Sequence, residues 1–564
     1  MKSTTVVRAT FYGYCNSCNQ AFRTLTSARL MANFIRSKKS YIPLLVLQTA
    51  LVVVWVVLFN YNEFFKYNDS MDYSQMGREI ARGNGFSTLQ VFPGHLRYMK
   101  DRDLLNRPHW PNLYRFPLPT ISNALFQMVI ADPLKAGIIQ SGFWMLLTVP
   151  LVFLVLKRVA SVSAGIIGGF VFFFDSMQYS YSGLSETLVT FWLMLVIYIL
   201  FCFKKGNAGY ICLGIFTGLL FLSRTVFFFL IPVLIIYFIA NRVDWRKIFL
   251  FILLFSIIIS GWLVRNYELT DSPFFSFMNL RNFTYLSADP FCTVDMEYSL
   301  KKIISENKHH ILGKIKKNLL NFFNPLFWNK LLSPFGILLF ISVGLVFFDR
   351  NRDGRRLFFI ILVILIINFL FYIPFLFLDR FFVPFKPLIL IVFLASLSSF
   401  LEFLKERKYI SGVLIYLLIF CVPVSLAYAG KVIYRMDPDE DVLKSLGFFE
   451  RLKTVVPEDG IVLSDVSPRI ALFSGRKAVR LPFKPGEIKS IDSDYIRIDY
   501  IIISKDIASE QGWDRYREVV RKDVLFGIFN RVDDEGDFFI FKRTHERPPS
   551  PAVPSSHSGH SRAC

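Results

Sequence analysis

About eleven apolar runs punctuate this chain, at residues 42–60, 137–156, 162–178, 184–203, 208–223, 226–240, 247–263, 333–348, 357–378, 381–400 and 409–429. Each is near the roughly 20 residues that a helix needs to cross a ~30 Å hydrocarbon core. The solvent of such a chain is largely lipid. Composition agrees, since 53% of the 564 residues are hydrophobic and only 19% are charged. The 62 phenylalanines partition into hydrocarbon and pack between helices with no polar group to satisfy. A net charge of +21 does not point to nucleic acid, because the basic residues sit in short clusters between apolar segments rather than in one soluble block.

Those clusters set the expected orientation. Lys and Arg in short loops are retained on the cytoplasmic side, and Arg36 with Lys38-Lys39, Lys157-Arg158, Lys204-Lys205, Arg242 with Arg246-Lys247, Arg350 to Arg356, and Lys405 to Lys408 all fall at alternate turns. The expectation is a cytoplasmic N-terminus and an extracytoplasmic C-terminus. The lysine-rich segment 298–323 lies outside on this count, inside a loop too long for the rule to govern, and its isoleucine and leucine spacing predicts an amphipathic helix on the membrane surface.

The expected fold class is therefore an α-helical polytopic membrane protein with a small C-terminal α/β extracytoplasmic domain. A cytoplasmic tail (1–41) precedes a membrane domain (42–430) with long outer loops at 61–118 and 264–332. A soluble domain (431–543) and a low-complexity, disordered tail (544–564) follow. In the soluble part, VLKSLGFFERLKTVV reads as helix, GIVLSD, KAVRLPF and DYIIIS as strands, and Leu525 to Arg543 as a hairpin. No signal peptide is legible, because the first apolar run starts near Tyr41 and is long enough to span. Residues 1–30 read as an unstructured tail upstream of a second methionine, Met31. The seven cysteines show no disulfide framework, and Cys15 with Cys18 has no partner pair for a zinc site. Metal dependence stays open: His95, His109, His309 and His310 show no ligand spacing with one another or with Cys.

Function is expected on the outer face, where the long loops are. Asp69 and Asp72, with Tyr73, open the first outer loop just past the first span. A carboxylate sheltered at the membrane surface is a functional candidate by default and can take a proton from a hydroxyl as general base; Asp72 is equally readable as a cap or a water-facing residue. Glu186, at the outer mouth of the fourth span, reads either as a functional acid or as a helix-start carboxylate capping with Ser182 or Ser185. Asp175 is a third candidate. Arg224, Arg265 and Arg380 sit at outer helix ends, where guanidinium forks can bind phosphate oxygens or simply snorkel to the headgroups.

In this order, these residues resemble the lipid-linked sugar transferases of the GT-C type, in the branch with bacterial aminoarabinose transferase and the protein O-mannosyltransferases. The resemblance runs from the first span to about residue 400. Asp69 and Tyr73 match an Asp-Glu-x-x-Tyr-like motif, with Ser70 in place of the second acid. GlyLeuSerGlu186 opens a leucine-rich span as in the family, Trp262, Arg265 and Asn266 match a Trp-x-x-Arg-Asn stretch, and Arg380 with Pro384 matches an Arg-Tyr-x-x-Pro stretch. The resemblance implies a GT-C-like membrane domain in a bacterial inner membrane and a polyprenyl-phosphate sugar as donor. It implies inverting transfer to a hydroxyl of a lipid, glycan or protein acceptor. Asp69 would be the base and Glu186 would orient acceptor or sugar. Arg265, Arg380 and Arg224 would hold the donor phosphate, with Asp72, Tyr73 and Asn266 at the substrate. No nucleotide-binding fingerprint is present among the motifs. The competing expectations are a polyprenyl-linked polysaccharide polymerase or ligase, and a lipid or solute transporter, which would carry its polar residues at mid-span.

Overall fold

The computed structural model describes residues 42–59, 62–202, 206–278, 280, 290–324, 327, 335–345, 352–373, 379–405, 440–505, 507, 514–535 and 537–544. The apolar run at 409–429 lies outside the described residues, as do Cys15 and Cys18. The other ten runs coincide, in their described parts, with helix. These helices are α1 (Ile42–Val57), α3 (Pro133–Val159), α4 (Val162–Ser180), α5 (Glu186–Cys202), α6 (Asn207–Ser223), α7 (Leu230–Ala240), α8 (Trp245–Thr270), α10 (Phe335–Leu345), α11 (Arg352–Tyr372) and α12 (Lys386–Lys405). Between them lie α2 (Asn68–Ala81) and α9 (Lys308–Phe322). Among the described residues, four helices are long and apolar enough to cross a membrane: Pro133–Val159, Trp245–Thr270, Gly354–Tyr372 and Arg380–Leu401. The others are apolar but shorter, α6 for example having 17 residues. This is a multi-pass membrane protein.

Local chemistry explains where the helices begin. Asp132 accepts the backbone N–H groups of Leu134 and Lys135, with Pro133 at the first helical position, and Ser161 caps α4 through Ala164 N–H. Small residues then let the helices approach. Gly214 and Gly218, one turn apart on α6, face Phe251 and Ile258 of α8, where an added Cβ would stand 2.5 Å from the Phe251 carbonyl oxygen. The same logic seats Trp55 of α1 against Gly142 of α3. The Trp55 indole donates to Ser180 Oγ (2.9 Å) and stacks on Tyr181, whose hydroxyl donates back to the Trp55 carbonyl. The first span is thereby locked to the segment that leads into Glu186.

The lysine-rich segment forms two helices rather than one, Leu300–Glu306 and α9, broken at Asn307. Both the backbone N–H and the side-chain amide of Asn307 bond the Ile303 carbonyl, ending the first helix. Residues 440–544 bring one long helix, Glu440–Val455, short helical turns such as Ser467–Arg469 and Glu487–Ser490, and strands β2 (Ile461–Ser464), β3 (Lys477–Arg480), β4 (Tyr500–Ser504), β5 (Val524–Leu525), β6 (Phe529–Glu535) and β7 (Phe538–Arg543). They lie in one seven-stranded sheet of order β1-β3-β2-β4-β7-β6-β5, whose edge strand β1 (Gln90–Val91) comes from the first outer loop and pairs in parallel with β3. The sheet is parallel through β4 and antiparallel beyond it. The first loop is thus not a free connection; it completes the sheet of the C-terminal segment.

Candidate active site

Helix α2 carries two of the acids and is fixed by a buried polar seam. Gln127 donates to the Ser74 carbonyl (2.7 Å), Asn123 to Gln140 (3.1 Å), and Gln140 and Trp144 both to Ser122 Oγ. Gly77 allows the approach, since a Cβ there would stand 2.6 Å from Asn123 Oδ1. Asp69 and Asp72 are presented on one side of this helix, three residues apart and so on the same face.

What they meet is Arg115, a residue the motif reading passed over. Its Nη2 lies 2.6 Å from Asp69 Oδ1 and 2.5 Å from Asp72 Oδ2, and its Nε 3.2 Å from Asp72 Oδ2. Asn112 aims it: the Asn112 side-chain oxygen accepts the backbone N–H groups of Tyr114 and Arg115, a local turn that needs no tertiary partner. Arg115 is 4% exposed and packs against the Tyr114 and Tyr73 rings. Burial works against its charge, but Asp69 and Asp72 outweigh burial and hold the guanidinium well above its ordinary range. The signal was there in Tyr114-Arg115-Phe116-Pro117, which has the same aromatic and proline flanks as Arg380 in AspArgPhePheValPro.

The second oxygen of Asp69 pairs with Arg380, at 2.7 Å, in the turn that precedes α12. Glu186 pairs with Arg224 at 3.0 Å, and Arg380 is within electrostatic reach of Glu186. Gly183, with a left-handed φ of +69°, turns the chain from α4 into α5 where a Cβ would collide with Phe64. Ser182 ties that turn down through the Tyr179 carbonyl and Leu184 N–H, while Ser185 donates to Glu186 Oε2 at 3.5 Å and interacts with the Tyr73 hydroxyl. Phe381 lies between Arg224 and Arg380, and Tyr372 stacks on it. Three carboxylates therefore face three guanidiniums. Although Arg224 is buried, its Nη1 has no hydrogen-bond partner among the described residues, and an orphaned donor of that kind asks for an acceptor.

Three predicted residues stand elsewhere. Arg265 does not touch the carboxylates: its Nη2 donates to the carbonyls of Asn112 (2.9 Å) and Phe86 (3.2 Å), and its guanidinium packs against both Trp262 and Phe86, whose rings also touch each other. It holds the turn that aims Arg115. Asn266 donates to the Pro273 and Phe275 carbonyls, fixing the loop after α8. Asp175 forms its own buried pair with Lys386, at 3.0 Å. Lys386 follows the Arg380 stretch directly, and a lysine at the outer end of an apolar span was its only signal. Beside Arg115 a cavity of about 470 Å³ opens, walled by Phe116, Phe221, Trp262, Phe274 and Phe371. Among the described residues no group of three or more His, Cys, Asp or Glu side chains could hold a metal ion. The acids at the centre of the site are neutralised by arginines, so the donor set does not fit a divalent cation.

Residues 117–264 match the family model described as dolichyl-phosphate-mannose-protein mannosyltransferase. The fold is similar to ArnT from Cupriavidus metallidurans bound to undecaprenyl phosphate, with a TM-score of 0.53 and 12% identity over 88% of this chain and 97% of that one. It is similar also to the oligosaccharyltransferase AglB from Archaeoglobus fulgidus in complex with an inhibitory peptide and a dolichol-phosphate, with a TM-score of 0.52 and 12% identity over 84% of this chain and 70% of that one. The chain has the GT-C fold. No curated protein matches it in sequence. The resemblance carried by Asp69, Glu186, Arg265 and Arg380 and the likeness of the whole backbone point to the same group. In this chain the four residues come from α2, α5, α8 and the turn before α12.

Proposed function

We propose that the protein is a membrane glycosyltransferase that moves a sugar from a polyprenyl-phosphate donor to an acceptor hydroxyl on the outer face of a bacterial inner membrane. In this reading the chain crosses the bilayer about eleven times, with a cytoplasmic N-terminus and residues 431–543 as an extracytoplasmic α/β domain. The carrying observation is the Asp69–Arg380 pair at 2.7 Å, beside the orphaned Nη1 of Arg224. With carboxylates and guanidiniums balanced at rest, an arriving phosphate competes with Asp69 and Glu186 for Arg380 and Arg224.

The chemistry follows from that exchange. Arg380 moves its fork to the donor phosphate, and Asp69, still oriented by Arg115 through Oδ1, gives up that guanidinium at Oδ2. That oxygen takes the proton of the acceptor hydroxyl as the hydroxyl oxygen attacks the anomeric carbon from the face opposite the phosphate. The bond from anomeric carbon to phosphate oxygen breaks, its electron pair leaves with the lipid phosphate, and configuration inverts. Arg380 and Arg224 stabilise the charge growing on the leaving group. Glu186 keeps Arg224 in place and faces the sugar with Tyr73, while Asp72 fixes Arg115. The apolar cavity beside Arg115 takes the first units of the lipid chain, which supports a polyprenyl carrier over a soluble donor.

Native mass spectrometry of the gently solubilised protein with an added polyprenyl-phosphate sugar tests this. The wild type is expected to carry the donor and Arg380→Ala to lose it. Equal retention in both, or no binding across a panel of such donors, overturns the reading in favour of a transporter.

A further inference from the structure

Three of the helices that serve the site also build something, together with α7, at their other ends. α5 starts at Glu186, α6 ends just before Arg224 and α11 ends at Tyr372. About 25 Å away, at 1.5 Å per residue along the 17 residues of α5, the far ends of α5, α6, α7 and α11 close a second cavity of about 180 Å³. That volume is about six waters' share of liquid, enough for a phosphate group and the atoms that bear it.

Its lining is apolar with a few directed polar groups. Arg356, in the second turn of α11, reaches it half-buried, and among the described residues has neither ion-pair nor hydrogen-bond partner. Tyr210 of α6 lines it while only 7% exposed, and its hydroxyl has no hydrogen-bond partner among the described residues. Tyr237 and Asn241 of α7 complete the polar side, the Asn241 amide donating to the Tyr237 carbonyl and so leaving its oxygen turned away from that bond. Lys247 adds a second cation, 5.8 Å from the Tyr210 ring centre. Among the described residues no carboxylate lines the cavity, and Asp244 nearby is occupied in capping α8. A cation with no counter-charge inside a helix bundle is costly. A guanidinium next to a phenol and an ammonium matches an anion with several acceptor oxygens, which is a phosphate ester.

We infer that this cavity binds a phosphate ester at the membrane face opposite the candidate active site, with Arg356 as the charged contact and Tyr210 as a hydroxyl donor. The ester belongs either to the headgroup of an anionic phospholipid or to a soluble phosphorylated molecule; the cavity recognises what the two share. Occupied, it ties together the far ends of the helices that hold Glu186, Arg224 and Tyr372.

The test is native mass spectrometry and thermal melting of the full-length, delipidated protein. The probes are phosphatidylglycerol, phosphatidylcholine and glycerol phosphate, applied to the wild type, Arg356→Gln, Tyr210→Phe and Arg355→Gln. Arg355 is the exposed neighbour and removes the same charge outside the cavity. Phosphatidylglycerol is expected to bind and raise the Tm of the wild type and of Arg355→Gln, and to bind Arg356→Gln roughly tenfold more weakly. Tyr210→Phe is expected to fall between. If glycerol phosphate alone shows this pattern, the soluble ester is the ligand. Equal loss in Arg355→Gln and Arg356→Gln shows only surface attraction to charged headgroups, and it overturns the site, as does undiminished binding to Arg356→Gln.

Discussion

Asp69 of α2 and Arg380 in the turn before α12 meet at 2.7 Å, joining two stretches far apart in the chain. Because Arg115 holds the other oxygen of Asp69, loss of Arg380 to a donor phosphate leaves the carboxylate oriented while Oδ2 no longer faces that guanidinium. Asp69→Asn keeps the shape and a hydrogen-bonding oxygen while removing the base. The expected result is a fall in kcat of roughly a hundredfold or more, with donor binding retained. Single-turnover assays beside donor titration separate the two; a loss of binding equal to the loss of rate makes Asp69 a binding residue instead.

Glu186 and Arg224 are 1% and 9% exposed and face each other at 3.0 Å. Removing one partner strands a buried charge, which typically costs about 3–5 kcal/mol. Arg224→Gln is therefore expected to melt well below the wild type in detergent, and Arg224→Gln with Glu186→Gln to recover most of that loss. Activity is not expected to return in the double variant. A stable and active double variant removes the pair from the mechanism.

Arg115 bridges Asp69 and Asp72 through a planar fork. Lysine keeps the charge but offers a single point of contact, so it reaches one carboxylate and releases the other. Arg115→Lys is expected to lower kcat at least tenfold and to lower Tm as well, because Asp72 is buried and loses its paired guanidinium fork. Wild-type kinetics in this variant would assign Arg115 to charge balance alone.

The helices were legible because an apolar run of near-spanning length has few alternatives in lipid, and the strands at Ile461–Ser464, Lys477–Arg480 and Tyr500–Ser504 fall on β-branched runs bounded by turn residues. The acids and arginines were legible as types at helix ends. Their pairing was not, because which guanidinium meets which carboxylate depends on how distant helices pack. Arg265 shows the limit: its position near a helix end is what the sequence displays, and its hydrogen bonds to the Asn112 and Phe86 carbonyls arise only when the loop after α2 folds over α8. Strand β1 was hidden for a different reason. Two residues, Gln90 and Val91, carry no periodicity of their own and become a strand only by pairing with Ala478 and Val479.

That pairing has a companion in Arg78, one helical face along α2 from the acids. Its guanidinium donates to the carbonyls of Leu472 and of Ala471, the latter at 2.7 Å, at the end of a helical turn in the C-terminal segment. Phe473 next to them stacks on Phe65, just before α2. The C-terminal segment therefore grips the helix that carries Asp69 and Asp72 at two points, through β1 and through Arg78. Arg78→Ala leaves two carbonyls without their donor and is expected to cost about 1–3 kcal/mol at this contact. Hydrogen exchange should rise in α2 and in residues 467–475 together, while the amides of α5 and α6 stay protected. kcat is expected to fall several-fold with donor affinity kept, because the acids lose their fixed position and the arginines on the bundle do not. Exchange confined to residues 467–475, with kcat unchanged, would make the C-terminal segment a passenger on α2 rather than its support.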